Sequence, residues 1–213
     1  MNPLLLAVAL LKLDIDSGTV TTRQWPDAGE SVAIGSLAKP FIAIAYAEGH
    51  AYRYPRLKCN PKACWLPRGH GEVGIEEAIA QSCNVYFNAL RKQIPLDLLQ
   101  STARRYGFDD VDRSPPEALL RAYVELQRRA AEPGVAPILT GLRRAASHGT
   151  ARLLAHDALA KTGTAPCSHT PKSPGDGFAI VLHPAVAPKT ALIVRLHGRP
   201  GSHAAREAAK SLP

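Results

Sequence analysis

Several features that would assign this chain to common protein classes are missing from its sequence. It has no internal repeat, no low-complexity tract and no nucleotide-binding glycine loop, and its 8 histidines form no metal-binding cluster. The apolar residues 1–11 have no basic segment and no clean cleavage site, and they are too short to span a bilayer. Repeat, nucleotide-binding and membrane-embedded proteins are therefore not indicated.

Composition and charge are those of a soluble globular chain. With 213 residues, 46% of them hydrophobic and 21% charged, it can bury a full core, and one domain over residues 1–213 is predicted. The net charge of +8 includes paired arginines, but these lie in separate predicted helices without interleaved aromatics. We therefore expect solvated helix faces and no nucleic-acid partner, with an anionic envelope or membrane surface as a secondary possibility.

The order of predicted elements favours an α/β fold of the α+β type. Strands are predicted at residues 6–14 and 19–25, joined by a hairpin turn, and again near the end of the chain. Between them, helices are predicted to start at Leu37, Ile75, Leu96, Pro116 and Ala136. The later strands are predicted at residues 158–164, 178–183 and 189–197, with a final helix at 204–211. Strands at both ends predict one central antiparallel sheet built from both termini and flanked by helices.

The first of three ordered motifs is Ser36-x-x-Lys39, followed directly by Pro40. Proline is tolerated in the first turn of a helix, so Pro40 places Ser36 at or next to a helix N-terminus. There the helix dipole favours a developing negative charge, and Lys39 can reach the Ser36 hydroxyl. Lys39 is a base only when neutral, which burial and a second cation such as Lys161 would promote. Taken alone, the pair also fits an N-capping serine and a surface lysine.

The second motif is Ser82-x-Asn84, which lies between two segments with the apolar spacing of amphipathic helices. Ser, Cys and Asn in succession are poor helix formers, so a short loop between the two helices is predicted. Such a loop can present Ser82 and Asn84 to a cleft. The alternative is two polar residues that bond their own backbone.

The third motif, Lys161-Thr162-Gly163-Thr164, is the most specific of the three and is predicted to be a short strand. Glycine inside a strand often marks a place where a ligand or another backbone comes close. The lysine ammonium and the threonine hydroxyls suit a carboxylate. The alternative is an edge strand whose lysine discourages aggregation.

Together the motifs match the S-x-x-K, S-x-N, K-T-G signature of serine enzymes that acylate themselves on penicillin or on a D-alanyl peptide. The chain resembles the transpeptidase domain of penicillin-binding proteins over nearly its whole length, although it is shorter than most such domains. Residues 69–71, ahead of the second motif, and residues 141–152, ahead of the third, add to the resemblance. It implies the same α+β fold as the element order.

The resemblance also implies an acyl-enzyme mechanism. Ser36 would attack the carbonyl of a D-Ala-D-Ala-type stem peptide, Lys39 would accept its proton, and the N–H groups of Ser36 and Thr164 would form the oxyanion hole. Ser82, held by two lysines, would pass a proton to the leaving amine. An amine acceptor would then give a cross-link and water a trimmed peptide. The predicted catalytic residues are Ser36, Lys39, Ser82 and Lys161, and the predicted substrate-binding residues are Asn84, Thr162, Gly163 and Thr164, with Lys161 and the two threonines on the terminal carboxylate.

The implied partners and location follow from that chemistry. They are peptidoglycan stem peptides and β-lactams, at the periplasmic or extracytoplasmic face of the envelope, with no cofactor. Because residues 1–11 carry no evident export signal, we expect a fragment of a longer anchored protein or a true start upstream. Two other functions remain open: a serine β-lactamase, for which Glu72, Glu76 and Glu77 are the nearest candidate deacylating carboxylates, and a non-catalytic binding module of an envelope assembly.

The cysteines add a prediction about redox state. Cys59 and Cys64 bracket a turn-like sequence, so a local disulfide between them is predicted, as would suit an oxidising envelope. The alternative is zinc bound by Cys59, Cys64 and His70, but a structural zinc site usually has four ligands and the sequence offers no obvious fourth. We therefore expect no metal, with Cys83 and Cys167 as free thiols.

Overall fold

The computed structural model describes residues 8–25, 27–167 and 171–213. The strands are β1 (Val8–Asp14), β2 (Val20–Gln24), β3 (Val32–Ala33), β4 (Leu57–Lys58), β5 (Glu72–Val73), β6 (Arg113–Ser114), β7 (Leu159–Ala165), β8 (Asp176–His183) and β9 (Thr190–Leu196). The helices are α1 (Lys39–Gly49), α2 (Ile75–Ala80), α3 (Asn84–Arg91), α4 (Leu96–Arg105), α5 (Pro116–Arg128), α6 (Val135–Ser147) and α7 (Gly201–Ala209). Short 3-10 turns lie at Gly35–Ala38, Pro61–Ala63 and Arg152–Leu154.

A five-stranded antiparallel sheet with the order β2-β1-β9-β8-β7 forms the centre of the fold. Strands from both ends of the chain meet in it, since β1 pairs with β9 from Val8 opposite Leu196 to Asp14 opposite Thr190. The helices come from the chain between β2 and β7 and from the segment after β9. The predicted fold class is therefore confirmed, and β7, which carries the third motif, lies at an edge of the sheet.

The sheet separates two apolar layers because successive strand residues point to opposite faces. Leu11 and Ile193 belong to the larger core, which contains most of the buried side chains of α1 and α5. Their neighbours Leu10 and Val194 belong to the smaller core with the alanines of α7. Helix α1 is buried from Lys39 to Ala47, as expected for a helix that is apolar on all sides, so its first residue starts inside the protein.

The observed element boundaries lie close to the predicted ones. Helices α2, α4 and α5 begin at the predicted residues, and β7, β8 and β9 begin within two residues of theirs. Helix α7 begins earlier than predicted, at Gly201, because Pro200 precedes its first turn and ends the extended segment there. Residues 6 and 7 of the first predicted strand lie outside the described residues.

The segment between α1 and α2 forms a β-hairpin that the sequence did not predict. Strands β4 and β5 pair through Leu57 opposite Val73 and Lys58 opposite Glu72. The loop between them contains residues 59–71, and the Cys59 N–H donates to the Gly71 carbonyl at 2.7 Å. This hairpin loop contains three of the residues considered above as metal ligands. In the ranges given above, no helix combines the length and apolar character needed to cross a membrane.

Candidate active site

The predicted nucleophile lies on the 3-10 turn that leads into α1. Ser36 is partly exposed, while the next residues, Leu37 and Ala38, are buried. Pro40 occupies the first turn of α1, as the sequence predicts. The buried Tyr123 hydroxyl donates to the Leu37 carbonyl at 2.7 Å and so fixes the turn from below. Ser36 is thus held at the surface above buried residues that pack beneath its turn.

Strand β7 packs directly against this turn, and two glycines allow the approach. A Cβ on Gly163 would lie 3.1 Å from the Leu37 side chain and 3.2 Å from the Ile34 carbonyl. A Cβ on Gly35, whose φ is +50°, would lie 2.6 Å from the Thr164 carbonyl. The prediction that Gly163 marks a close backbone approach is therefore confirmed, and the approaching backbone is that of the Ser36 turn.

The second motif joins α2 to α3, as predicted; Ser82 and Cys83 form a tight turn and Asn84 is the first residue of α3. Ser82 has φ of +52°, in the left-handed region that non-glycine residues rarely adopt. Its N–H donates to the Ile79 carbonyl at 3.1 Å, and the Cys83 N–H donates to the Ala78 carbonyl at 2.9 Å. These bonds hold the strained residue where its side chain and its carbonyl both face Lys39.

Both motif lysines donate to the Ser82 hydroxyl. Lys39 Nζ lies 3.1 Å from Ser82 Oγ, 2.7 Å from the Ser82 carbonyl oxygen and 2.8 Å from Asn84 Oδ1. Lys161 Nζ lies 2.9 Å from the same Oγ and 2.7 Å from the Thr162 carbonyl oxygen. Residues from all three motifs are therefore joined by hydrogen bonds around one serine oxygen.

Burial changes the protonation of both lysines. It is the main cause that lowers the pKa of Lys39 from 10.5 to about 7. Burial also lowers the pKa of Lys161 well below its usual value, and the nearby charge of Lys39 lowers it further. Two ammonium groups that share one hydroxyl oxygen repel each other, so loss of a proton from this pair is favoured near neutral pH. The site can therefore supply a neutral amine as a base.

A cleft of about 680 Å³ brings the predicted substrate-binding residues beside Ser36 and Ser82. Asn84, Thr162, Gly163 and Thr164 line it, together with Arg68 and Arg152. Among the described residues that line the cleft, none is Asp or Glu. Its two arginines and its hydroxyls can therefore bind an anionic group without competition from a neighbouring carboxylate.

Two predicted contacts differ from the structure. The Ser36 hydroxyl makes no hydrogen bond to Lys39 within the described part of the chain, because Lys39 Nζ is directed to Ser82 and Asn84. Lys161 is fully buried, so its ammonium contacts Ser82 and does not line the cleft. Thr162 and Thr164 are the side chains of β7 that line the cleft; the Thr162 hydroxyl donates to Thr150 Oγ1 at 2.6 Å, and the Thr164 hydroxyl accepts from the Gly201 N–H at 3.2 Å.

The disulfide predicted between Cys59 and Cys64 is not formed: both residues are free thiols, as are Cys83 and Cys167. The reason is that Cys59 and Cys64 are both directed at His70 Nδ1, at 3.5 and 3.4 Å, while Cys83 Sγ lies 3.5 Å from Cys59 Sγ. Cys83 is a fourth potential zinc donor that the sequence did not indicate. Its place inside the second motif was the available signal, since the fold brings that turn to the hairpin loop.

Comparison with known families and structures shows what the chain is similar to. Residues 28–116 match the family model described as the penicillin binding protein transpeptidase domain. A comparison with curated proteins finds no match.

Solved structures of such proteins share this fold. The chain is similar to a peptidoglycan synthase complex that coordinates polymerization and crosslinking, with a TM-score of 0.80 and 19% identity over 96% of this chain and 54% of that one. It is similar to Pseudomonas aeruginosa PBP2 in complex with WCK 5153, with a TM-score of 0.74 and 16% identity over 97% of this chain and 71% of that one. It is also similar to Helicobacter pylori PBP2 in complex with MreC, with a TM-score of 0.80 and 16% identity over 95% of this chain and 58% of that one.

These likenesses establish the fold, which is that of penicillin-binding transpeptidase domains. The resemblance inferred from the three motifs is therefore confirmed, and the family match covers the segment that carries the first two of them. The chain spans 54% of the length of the peptidoglycan synthase chain that it matches.

Proposed function

We propose that this chain is an active-site-serine acyltransferase that acts on D-Ala-D-Ala-type peptidoglycan stem peptides, as a D,D-transpeptidase or D,D-carboxypeptidase at the extracytoplasmic face of the envelope. Ser36 is the nucleophile, and β-lactams acylate it as substrate mimics. The observation that carries the proposal is that Lys39 and Lys161 both donate to Ser82 Oγ in the cleft that contains Ser36. The whole of residues 1–213 acts as one domain in this proposal.

Acylation begins with removal of the Ser36 proton. The buried Lys39 follows it by one helical turn, and its pKa of about 7 supports a neutral amine at working pH. The start of α1 and the backbone N–H groups of Ser36 and Thr164 then stabilise the oxyanion that forms on the substrate carbonyl. Contact between β7 and the Ser36 turn, through Gly163, supports the close placement of those two N–H groups.

Departure of the leaving group needs a proton. Ser82 Oγ accepts hydrogen bonds from both lysines, so its own hydroxyl proton is free to pass to the leaving amine and be replaced from Lys39. Lys161 acts here as a positioning residue, because its buried ammonium contacts Ser82 and the backbone. This transfer returns Lys39 to the neutral form that the next cycle requires.

In this proposal, side chains that line the cleft bind the substrate. Asn84 bonds the substrate backbone, and the hydroxyls of Thr162 and Thr164 bind the terminal carboxylate of the peptide. Arg68 and Arg152 add positive charge to a cleft whose described lining contains no carboxylate, which supports an anionic ligand. An amine or a water that enters after the first product leaves completes the reaction.

A β-lactamase is less well supported by the same cleft. Hydrolysis of a penicilloyl ester needs a base that activates water, and the three candidate carboxylates are engaged at the surface. Glu72 pairs with Arg56 at 2.7 Å, Glu76 with Arg144 at 2.8 Å, and Glu77 lies 3.5 Å from His148. None of the three lines the cleft, so we expect the acyl-enzyme to persist.

Covalent labelling tests the proposal. A fluorescent penicillin should label the protein at Ser36, as located by peptide mass mapping, and Ser36→Ala should fold but lose the label. Ser202→Ala is the matched control, because Ser202 also lines the cleft and should leave labelling unchanged. Labelling that survives in Ser36→Ala, or a wild-type protein that never labels, contradicts the proposal and in the second case favours a non-catalytic binding module.

The fate of the adduct separates the two enzymes. Stopped-flow measurement should give a burst of one equivalent followed by slow turnover, with the adduct visible in intact mass spectra. Rapid steady-state hydrolysis without accumulated adduct would instead establish the β-lactamase.

A further inference from the structure

Four potential metal ligands meet where the hairpin loop touches the second motif. Cys59 Sγ, Cys64 Sγ, His70 Nδ1 and Cys83 Sγ all lie within 4.8 Å of one another. The shortest separations are 3.4 and 3.5 Å from His70 Nδ1 to the first two sulfurs and 3.5 Å between the sulfurs of Cys59 and Cys83. We name these four residues the thiol cluster.

These separations match the edges of a zinc coordination tetrahedron. With zinc about 2.3 Å from sulfur and about 2.0–2.1 Å from nitrogen, tetrahedral ligand atoms are about 3.5–3.8 Å apart. A disulfide instead needs two sulfurs about 2.05 Å apart, and all four cysteines are free thiols. The thiol cluster therefore has the spacing of a metal site and not that of a bridge.

The donor set also fits zinc. Three sulfurs and one imidazole form the Cys₃His set of structural zinc sites, which are closed, four-coordinate and free of water. Cys59 and Cys83 are buried, with exposed fractions of 4% and 0%. The spacing Cys-x4-Cys-x5-His-x12-Cys places three ligands in one hairpin loop and the fourth on the turn between α2 and α3.

We propose that Cys59, Cys64, His70 and Cys83 bind one structural Zn²⁺ ion. The three thiols bind as thiolates and release their protons to solvent, and His70 binds as neutral imidazole through Nδ1. No electron transfer takes place, so the site needs no oxidant, and it does not depend on whether Ser36 is a nucleophile.

The ion would join two walls of the cleft. Cys83 lies between Ser82 and Asn84, which both accept hydrogen bonds from Lys39. The loop that contributes the other three ligands also places Trp65, Leu66 and Arg68 in the cleft lining, and Trp65 Nε1 donates to the Gln81 carbonyl at 3.0 Å. Zinc would therefore fix the lining loop to the turn that holds Lys39, in addition to the hydrogen bond that the half-exposed Trp65 makes there.

A second group of donors does not carry the same inference. Cys167, Asp176 and His197 also come together, but they provide three donors, and Asp176 Oδ1 already lies 2.9 Å from His197 Nδ1. Cys167 Sγ is directed at the Lys172 carbonyl, 3.4 Å away. Cys167 therefore serves as a control for the thiol cluster.

Metal content is the direct test. Protein purified without chelators or a metal-affinity tag, with zinc in the medium, should contain one zinc per chain by inductively coupled plasma mass spectrometry. Cys83→Ser and Cys59→Ser should each lose most of it, whereas Cys167→Ser should retain all of it. Replacement by Co²⁺ should give the intense visible bands of a tetrahedral thiolate site, which Cys83→Ser should lack.

Stability gives a readout that does not require activity. Removing zinc with a chelator should lower Tm by about 5–10 °C in wild type and in Cys167→Ser, and by much less in Cys83→Ser. Should Cys83→Ser fail to fold, Cys64→Ser replaces it, because Cys64 is only half-buried and its substitution disturbs the core least. Far-UV circular dichroism checks that each variant is folded.

Two outcomes would overturn the inference. One is wild-type protein that binds well below one equivalent of zinc after reconstitution under reducing conditions. The other is a Cys59–Cys64 disulfide found by peptide mapping in protein isolated from an oxidising compartment. In either case, penicillin labelling at Ser36 would still test the proposed enzyme. Failure of the zinc site and failure of the proposed enzyme are therefore distinguishable.

Discussion

The two sides of the turn at residues 82–84 differ in how their polar atoms are satisfied. On the lysine side, Lys39 and Lys161 find oxygen acceptors at 2.7–3.1 Å, and Ser82 and Asn84 complete that network. On the thiol side, Cys83 and its neighbours in the thiol cluster face one another at 3.4–3.5 Å through weak donors. On the lysine side, protein oxygens accept the hydrogen bonds of both ammonium groups. On the thiol side, the four groups are all potential metal ligands. One short turn thus joins the proposed catalytic network to the proposed metal site, and the two should respond differently to substitution.

The largest effect is expected from the two lysines. Lys39→Met keeps the length and apolar stem of the side chain but removes the base, so acylation by penicillin should slow about 10³-fold. Lys161→Met should slow it less, about tenfold to a hundredfold, because Lys161 acts by positioning Ser82. Stopped-flow acylation rates measure both, and zinc content should stay at the wild-type value in each. Equal rates in wild type and Lys39→Met would exclude this base.

The pH profile of acylation should identify the titrating group. The pKa of Lys39 is lowered to about 7, and only the neutral amine accepts a proton. The rate should therefore rise with pH, with a midpoint near 7, and fall about tenfold for each pH unit below it. A profile that is flat through neutral pH in the wild type would contradict the assignment.

A smaller effect on acylation, with a purely geometric cause, is expected from substitution of Gly163. In Gly163→Ala the new Cβ would meet the Leu37 side chain at 3.1 Å and the Ile34 carbonyl at 3.2 Å, so β7 must shift away from the Ser36 turn. Acylation should slow about tenfold, since small misplacements of reacting groups are costly. Gly29→Ala is the control, because its Cβ would have no atom within 4 Å. Wild-type kinetics in Gly163→Ala would mean that the strand and the turn do not set the site geometry.

The smallest effect on chemistry is expected from the thiol side. Cys83→Ser should loosen the turn and slow acylation only about threefold to tenfold, because Ser82 and Asn84 keep their own bonds to Lys39. Cys167→Ser should leave the rate unchanged. A Cys83→Ser variant as slow as Lys39→Met would show that the two sides of the turn act as one unit.

The sequence predicted most of the fold because its apolar patterns are strong and its turns are marked. Pro40 identified the start of α1 with Ser36 ahead of it, and the apolar runs near the end of the chain predicted β8 and β9. That the three motifs form one site was also predicted, but only from their resemblance to a known family. Local patterns could not have brought Ser82 to Lys161, because 79 positions separate the two residues.

What the sequence missed depends on tertiary contacts. The burial of Lys161 and the direction of the Lys39 ammonium follow from packing against the second motif, which no local spacing encodes. Cys59 and Cys64 looked like a disulfide because they are close in the chain. In the folded chain, the β4–β5 hairpin brings His70 next to Cys59 and Cys64, and the turn after α2 brings Cys83 to the same place. The convergence of four donors is therefore visible only in the tertiary structure.

The pairing of β1 with β9 has a consequence for how the protein is made. Leu10 finds its partner Val194 only after the intervening chain has been synthesised, which takes on the order of 10–40 s at typical rates of translation. During that time, β1 of the β1–β2 hairpin has one edge whose backbone N–H and C=O groups are unpaired. The Ser36 turn and α1 are synthesised well before β7, whose Gly163 packs against that turn. The cleft can therefore assemble only after β7 has been synthesised, because Thr162, Gly163 and Thr164 form part of its lining.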